Sequence, residues 1–266
     1  MWKTKVIHSY RELKELQELP LEDKTFRAEQ IILYNLKTHN HPCIACSWGK
    51  DSMVLLHLVR KFCEKAIVMF NNTGVQYPQN LEYRDRILKE WNIENYIENK
   101  PIKSFWVCVK QYGFPKARQM GKGKKGEKAR PERTPKCCYY CKEGPAKKAI
   151  RKYGIDLNFV GLQASESMVR RLSFFREGET FKSKTYGCTI VRPLMIWRDK
   201  DVWEYHKVNE IPRNKVYDLM ERNGCMPCTG FKSWREVMAR ANPKLYSYVS
   251  KELGQPLLSD CKEFWG

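Results

Sequence analysis

Residues 42–60 read P-C-I-A-C-S-W-G-K-D-S-M-V-L-L-H-L-V-R. The apolar run P-C-I-A-C (42–46) suits a buried strand. Met53, Leu56 and Val59, or Leu55 and Leu58, then recur at the spacing of a helix packed on a sheet. Between the two lies S-W-G-K-D-S, a strand-to-helix turn. Backbone N–H groups at such a turn point outward, and the helix N-terminus carries partial positive charge. Gly49 allows close backbone approach, Lys50 adds a full positive charge, and Ser47 and Ser52 supply hydroxyls. The turn is therefore expected to hold phosphate. It is not the P-loop of kinases and GTPases, because G-x-x-x-x-G-K-S/T is absent.

The alternation continues outward from this stretch. A helical segment is expected from Ser9 to about His39, opened by the capping box S-Y-R-E (Ser9, Glu12) and broken near Pro20. A-I-V-M-F-N (66–71), N-Y-I-E (95–98) and L-N-F-V-G (157–161) read as further strands, with a helix from about Gln79 to Trp91. Strands separated by helices predict an α/β fold, a mainly parallel twisted sheet with helices on both faces. The expected organisation is an N-terminal helical extension (1–40), a nucleotide-binding domain (41–235) and a C-terminal helical tail (236–266). The turn at 47–52, the segment N-T-G-V-Q-Y-P after residue 71 and the segment L-Q-A-S-E-S after Gly161 all follow strands. In parallel sheets ligands bind at those carboxyl ends. W-R-D-K-D-V-W-E-Y-H (197–206) reads as a structural helix with Val202 and Tyr205 on one side and His206 at the surface.

With 266 residues and 42% hydrophobic content, the chain can bury a full core. No apolar run approaches the roughly 20 residues that span a bilayer, and the start M-W-K-T-K-V-I-H-S-Y-R-E has no apolar signal region. An intracellular, cytoplasmic protein without membrane association is expected. The formal charge of +19 implies an anionic partner, either nucleic acid or a polyanionic small molecule. Much of the excess lies in 115–136, with nine Lys or Arg against two Glu. Its three glycines and three prolines make it a loop. Two roles stand open for it: a solvated basic loop, or an arm closing over an anionic substrate or nucleic acid.

Eleven cysteines in such a chain favour metal or thiol chemistry over disulfides. Cys43, Cys46 and Cys63 sit in apolar patterns and read as buried hydrophobes. C-C-Y-Y-C-K-E-G-P (137–145) and G-C-M-P-C-T-G (224–230) place two close thiol pairs about 90 residues apart, able to converge on one metal centre. Spacing alone leaves zinc and an iron–sulfur cluster open.

S-W-G-K-D-S resembles the S-G-G-K-D-S pyrophosphatase (PP) loop of the adenine-nucleotide alpha-hydrolase superfamily, with Trp48 in place of the first glycine. C-C-x-x-x-K-x-x-P followed by G-C-x-P-C-T resembles the phosphoadenylyl-sulfate and adenylyl-sulfate reductase family. The resemblance spans roughly residues 40–235 and includes F-N-N-T-G-V-Q-Y-P, G-L-Q-A-S-E-S-M-V-R, R-P-L-M-I-W-R-D-K-D-V-W-E-Y and E-I-P-R-N-K-V-Y-D. It implies a 4Fe–4S cluster on Cys137, Cys138, Cys225 and Cys228, with Cys141 a spare thiol or alternative ligand. Lys142 matches the lysine between cluster and substrate. Ser47, Gly49, Lys50, Asp51 and Ser52 would cradle the phosphate or sulfate of an adenylyl nucleotide. Asn72, Thr73, Gly74 and Gly161 would line its pocket. Trp48 would narrow the mouth of the loop or stack on the ligand. Arg170 matches the arginine that engages the phosphosulfate, with Arg171 sharing that role.

Two departures bear on activity. Gln163 stands where the family often has an arginine, removing one anion contact. The family's C-terminal E-C-G-I/L-H motif is missing, and the chain ends L-L-S-D-C-K-E-F-W-G. Cys261 is a degenerate version of that nucleophile or a plain exposed cysteine. The resemblance implies reduction of adenylyl sulfate, or its 3′-phosphate, to sulfite with a thioredoxin-like electron donor. A second mechanism on the same scaffold binds ATP, adenylates a nucleic acid (tRNA or DNA) and inserts sulfur. A third reading is a non-catalytic nucleic-acid-binding subunit with the metal as a staple. The helices after Trp234 are expected to cover a sheet edge or to mediate homo-oligomerisation.

Overall fold

The computed structural model describes residues 7, 9–116 and 135–257. Most of the basic run (117–134) and Cys261 lie outside the described residues. The elements in chain order are α1 (Tyr10–Gln17), α2 (Leu21–Leu36), β1 (Pro42–Ala45), α3 (Lys50–Arg60), β2 (Ile67–Asn71), α4 (Pro78–Glu90) and β3 (Tyr96–Asn99). They continue with α5 (Phe105–Tyr112), α6 (Lys136–Cys138), α7 (Gly144–Lys152), β4 (Leu157–Val160), α8 (Met168–Glu177), β5 (Thr180–Ser183) and β6 (Cys188–Val191). Helices α9 (Asp199–Val208), α10 (Trp234–Ala241) and α11 (Pro243–Glu252) close the series.

The chain divides into two compact units. The first comprises residues up to Asn71, Glu82–Asn99 and Pro145–Asn214, and holds all six strands in the order β3-β2-β1-β4-β6-β5. Five strands run parallel, with registers such as Ile44↔Val68 and Ile44↔Phe159, and β5 alone pairs antiparallel, with β6. The expected mainly parallel α/β sheet is what forms. Strand β1 is central, so its side chains are covered twice. Cys43, Met69 and Ile190 pack with Ala146, Ala149 and Ile150 of α7. On the other face α2 and α3 lie against the sheet. Met53, Val54, Leu55, Leu56, Leu58 and Val59 of α3 are all buried, because α2 and α9 cover the side of α3 that the sheet does not.

The β5–β6 hairpin is absent from the sequence reading. Each strand has only four residues, and β5 reads T-F-K-S, with a lysine in the ladder. Only pairing with β6 makes it a strand. The expected N-terminal helical segment forms as two helices around Pro20, with Ser9 Oγ accepting from Glu12 N at 3.1 Å.

The second unit comprises Asn72–Leu81, Lys100–Gly144 and the chain from Lys215 on. It has no sheet among its described residues. Trp234, Met238, Tyr246 and Val249 of α10 and α11 form one core, and Tyr77, Val216, Met220 and Val237 form another. Among the described residues no helix is long and apolar enough to cross a membrane.

His57 on α3 carries a pH dependence into the first unit. Its Nδ1 lies 2.9 Å from the Tyr205 hydroxyl, and its ring meets Trp91 and Tyr205 at 5.9 and 5.6 Å. Burial, then the positive charge of Lys61, pushes its pKa down to about 4. An unfolded chain takes up that proton near 6.5, so between these values the unfolded state binds more protons and stability falls as pH falls. The melting temperature is expected to drop as pH is lowered from 6.5 towards 4. His57→Gln should flatten that part of the profile in differential scanning fluorimetry.

Candidate active site

In the first unit the turn after β1 is closed by its own side chains. Ser52 Oγ accepts from Ser47 N (3.2 Å) and donates to Gly49 O (2.9 Å). Gly49 precedes α3 without a side-chain cap, which leaves the first-turn N–H groups for an anion. A Cβ at Gly161 would lie 3.0 Å from Asp51 O and 3.1 Å from Asp51 C. Only glycine lets the end of β4 pack this closely on the first turn of α3.

Trp48 departs from both roles given to it. It is fully buried with φ +62°, its ring among Phe70 (6.2 Å) and Tyr96 (6.1 Å), and its carbonyl accepts from Asn214 Nδ2 at 2.9 Å. The side chain neither narrows the mouth of the turn nor offers a face to a ligand. It anchors the turn in the core, in a left-handed backbone conformation that glycine adopts without strain.

Lys50 is 7% exposed, and its Nζ lies 3.1 Å from Asp51 Oδ1 and 2.8 Å from Asp199 Oδ1. Gln163, also buried, donates through Nε2 to Asp51 and accepts from Ser165 Oγ at 3.0 Å. Its backbone N–H donates to Glu166 Oε2 (3.0 Å), and Glu166 forms an ion pair with Arg170. Ser167 Oγ caps α8 by accepting from Arg170 N at 3.2 Å. A continuous polar chain thus runs Asp199–Lys50–Asp51–Gln163–Glu166–Arg170. Arg171 is not part of it: its guanidinium lies 4.9 Å from the Tyr10 ring of α1.

Three residues that sequence reasoning undervalued belong here. Gln163 appears in the sequence as a lost anion contact, yet it holds the Asp51 carboxylate. Asp199 lies in a segment read as structural, and it reaches Lys50. His206, expected at the surface, is buried, and its Nε2 donates to Lys50 O at 2.9 Å. Burial lowers its pKa, outweighing the hydrogen bond to Lys50. The available signal was the spacing of His206 four residues after Val202, which places it on the buried side of α9.

The second unit gathers the other predicted residues. Asn72 Oδ1 accepts from Gly74 N (2.9 Å), and Gly74 has φ +72°. Thr73 is buried, and its Oγ1 accepts from Cys225 Sγ at 3.4 Å. Gln76 bridges Cys225, and Met226 N donates to Val75 O at 2.9 Å. The N-T-G segment is therefore tied to the cysteine turn, where Cys228 N donates to Cys225 O (3.1 Å) and Gly230 N to Cys228 Sγ (3.4 Å).

Cys137 and Cys138 lie on α6, which runs into a π-helical stretch, Tyr139–Glu143. Cys141, inside that stretch, is buried and donates to Lys103 O at 3.4 Å. The four predicted ligand cysteines are half-buried thiols outside any disulfide. The hydrogen bond to Cys138 raises the Cys137 thiol most, with burial and the Cys138, Cys228 and Cys225 charges adding to it. Burial raises Cys228, with Cys225 and Cys138 adding. Lys142 is held charged by Cys225 foremost, then by Cys138 and Cys228. Among the described residues no three His, Cys, Asp or Glu side chains are drawn together tightly enough to hold a metal ion as they stand. In kind the set fits a thiolate-bound cluster: four cysteines on two turns of one unit, with the ammonium of Lys142 beside them in sequence.

Residues 41–231 match the phosphoadenosine phosphosulfate reductase domain family. The chain belongs to that family. It is 26% identical over 221 residues to an adenosine 5′-phosphosulfate reductase of Staphylococcus epidermidis, covering 80% of this chain and 81% of the relative. It is 28% identical over 187 residues to adenosine 5′-phosphosulfate reductase 1 of Bacillus subtilis, covering 70% and 72%. In fold it is similar to the phosphoadenylyl-sulfate reductase of Candida auris (TM-score 0.55, 16% identity, covering 83% of this chain and 97% of that one). It is also similar to a tRNA thiolase of Methanococcus maripaludis, solved with its 4Fe–4S cluster (TM-score 0.50, 14% identity, covering 90% and 78%).

Trp48 offers a test of what anchors the turn. Replacing a buried tryptophan costs about 3–5 kcal/mol, whereas relieving a left-handed backbone returns about 1–2 kcal/mol. Burial wins, so Trp48→Gly is expected to destabilise the protein even though it restores the related loop pattern. Its melting temperature should fall in scanning calorimetry, by about 2–4 °C for each kcal/mol lost.

Proposed function

We propose that this chain is an oxidoreductase of sulfur metabolism that reduces adenylyl sulfate, or its 3′-phosphorylated form, to sulfite and AMP or its 3′-phosphate. The observation that carries this reading is the gathering of the C-C-x-x-x-K and G-C-x-P-C-T turns in one unit, where Cys225 donates to Thr73 of the N-T-G segment. Membership of the reductase family and the names of relatives spanning most of the chain support it.

Each residue then has a physical task. The turn Ser47–Ser52 offers the backbone N–H groups at the start of α3 to the nucleotide's phosphate. Arg170, oriented by Glu166, supplies a guanidinium for the phosphosulfate. Asn72, Thr73 and Gly74 contribute to the nucleotide pocket. Cys137, Cys138, Cys225 and Cys228 would hold a 4Fe–4S cluster, which when bound supplies an electrostatic and redox-active centre. Lys142 balances the negative charge of those thiolates and of a sulfate ester.

Cys261 is the nucleophile in this reading. Its thiolate attacks the sulfur of the sulfate ester, the S–O bond to phosphate breaks, and the nucleotide leaves as the phosphate monoester. A dithiol of the thioredoxin class then attacks the Cys261 sulfur. Sulfite departs with the electron pair of the S–S bond, and the donor's second thiol closes its disulfide and frees Cys261.

A second reading has one specific observation in its favour: residues 115–136 carry nine Lys or Arg against two Glu, which suits a nucleic-acid substrate. In it the turn binds ATP and adenylates a nucleic-acid oxygen, and sulfur then displaces AMP. Protein purified without oxygen and given phosphoadenylyl sulfate or adenylyl sulfate with thioredoxin is expected to release sulfite, and Cys261→Ser should abolish that release. Pyrophosphate from ATP in the presence of tRNA or DNA, with no sulfite from either sulfate ester, would replace the reductase reading by the second.

A further inference from the structure

Helices α5 and α11 of the second unit carry aromatic side chains that the proposed chemistry does not use. Trp106 is 38% exposed, Tyr112 46% and Tyr248 50%. Large apolar side chains left in water mark binding surfaces when they are grouped. Here they form two stations. At the first, Trp106, Phe114 and Tyr248 line a groove of about 690 Å³ with Lys110 and Glu252, the Trp106 ring meeting Tyr248 at 5.8 Å and Phe114 at 6.4 Å. That volume suits a small planar ligand or one base of a polymer. At the second, Tyr112 and Tyr140 stack with their rings 9° apart and centroids at 6.1 Å. Lys103 lies 4.8 Å from the Tyr140 ring and 5.9 Å from that of Tyr112, and Lys136 lies 5.9 Å from Tyr112.

We propose that this surface of α5 binds single-stranded RNA, one base entering the Trp106–Tyr248 groove and a neighbour stacking at the Tyr112–Tyr140 pair. The occupant follows from charge and shape together. Aromatic faces interleaved with lysines take bases and phosphates at once, and a chain of formal charge +19 attracts a polyanion. Trp106 and Tyr112 are separated by about 9 Å of helix rise, so the two bases must be splayed apart. Unpaired loops and ends of RNA present bases in that way, whereas a duplex keeps them stacked inside. Glu252 favours RNA over DNA, because a carboxylate repels phosphate but accepts a hydrogen bond from a ribose 2′-hydroxyl. Nothing in the reductase reading requires this surface, and the measurement below reads binding rather than turnover.

Fluorescence anisotropy of the full chain with a labelled single-stranded RNA 12-mer tests it, beside the same sequence as single-stranded DNA, the RNA duplex, and heparin as a plain polyanion. The RNA is expected to bind more tightly than its three competitors. Trp106→Ala and Tyr112→Ala should each weaken it about tenfold or more, given the worth of one stacked base. Lys110→Ala should reduce the slope of log affinity against log salt by about 0.7. Tyr112 is half exposed, so Tyr112→Ala keeps the test valid if Trp106→Ala disturbs its ring contacts. Circular dichroism and melting temperature report the fold of each variant. Undiminished RNA binding by both aromatic variants, or binding of DNA, duplex or heparin as tight as that of the RNA, would overturn the proposal.

Discussion

The ammonium of Lys50 organises the first unit. A charge this deeply buried must be paired, or it costs several kcal/mol. It finds Asp51 on its own helix and Asp199 at the start of α9, while Gln163, after β4, holds the Asp51 carboxylate. One cation therefore fixes three segments distant in sequence around a single turn. His206 and Asn214 add hydrogen bonds to the carbonyls of Lys50 and Trp48, so the backbone of the turn is held as firmly as its side chains. Of the two carboxylates on Lys50, Asp199 is the exposed one, at 66%. Under the proposed function, a phosphate at the turn competes with that partner first.

The N-terminal helices reinforce the arrangement from outside the sheet. Lys24 of α2 is buried, and its Nζ lies 2.8 Å from both Asp201 Oδ2 and Gln17 O. Asp201 also accepts from Arg198 N at 2.7 Å. This second buried ion pair holds the first turn of α9, where Asp199 sits two residues away. The helical extension thus sets the position of a carboxylate at the phosphate turn without contributing a residue to the turn itself.

In the second unit the governing constraint has the opposite sign. The hydrogen bond to Cys138 raises the Cys137 thiol and burial raises that of Cys228, with neighbouring cysteines adding to both, and Lys142 is the cation of the group. The π-helical stretch around Cys141 lets Cys137, Cys138 and Lys142 follow one another closely, and Thr73 and the bridge at Gln76 hold the Cys225 turn. A segment with the spacing of a nucleotide-binding loop, N-T-G, here also serves as the support of a cysteine turn.

The sequence by itself determined the class of fold and the elements nearest the chemistry. A short apolar run in β1 beside a period of 3.6 in α3 admits few alternatives, and S-W-G-K-D-S and the paired cysteines are local patterns whose spacing is legible without folding. What only the tertiary structure decided are the partners of those patterns. Trp48 reads as a ligand contact until Phe70, Tyr96 and Asn214 enclose it. Gln163 reads as a loss until Asp51 faces it. His206 reads as surface until α9 packs on α3. Strand β5, with a lysine in four residues, has no strand signal of its own until β6 supplies its ladder. Each depends on residues more than 20 positions away or on pairing with a neighbouring strand, and local propensity carries no information about which distant segment covers a side chain.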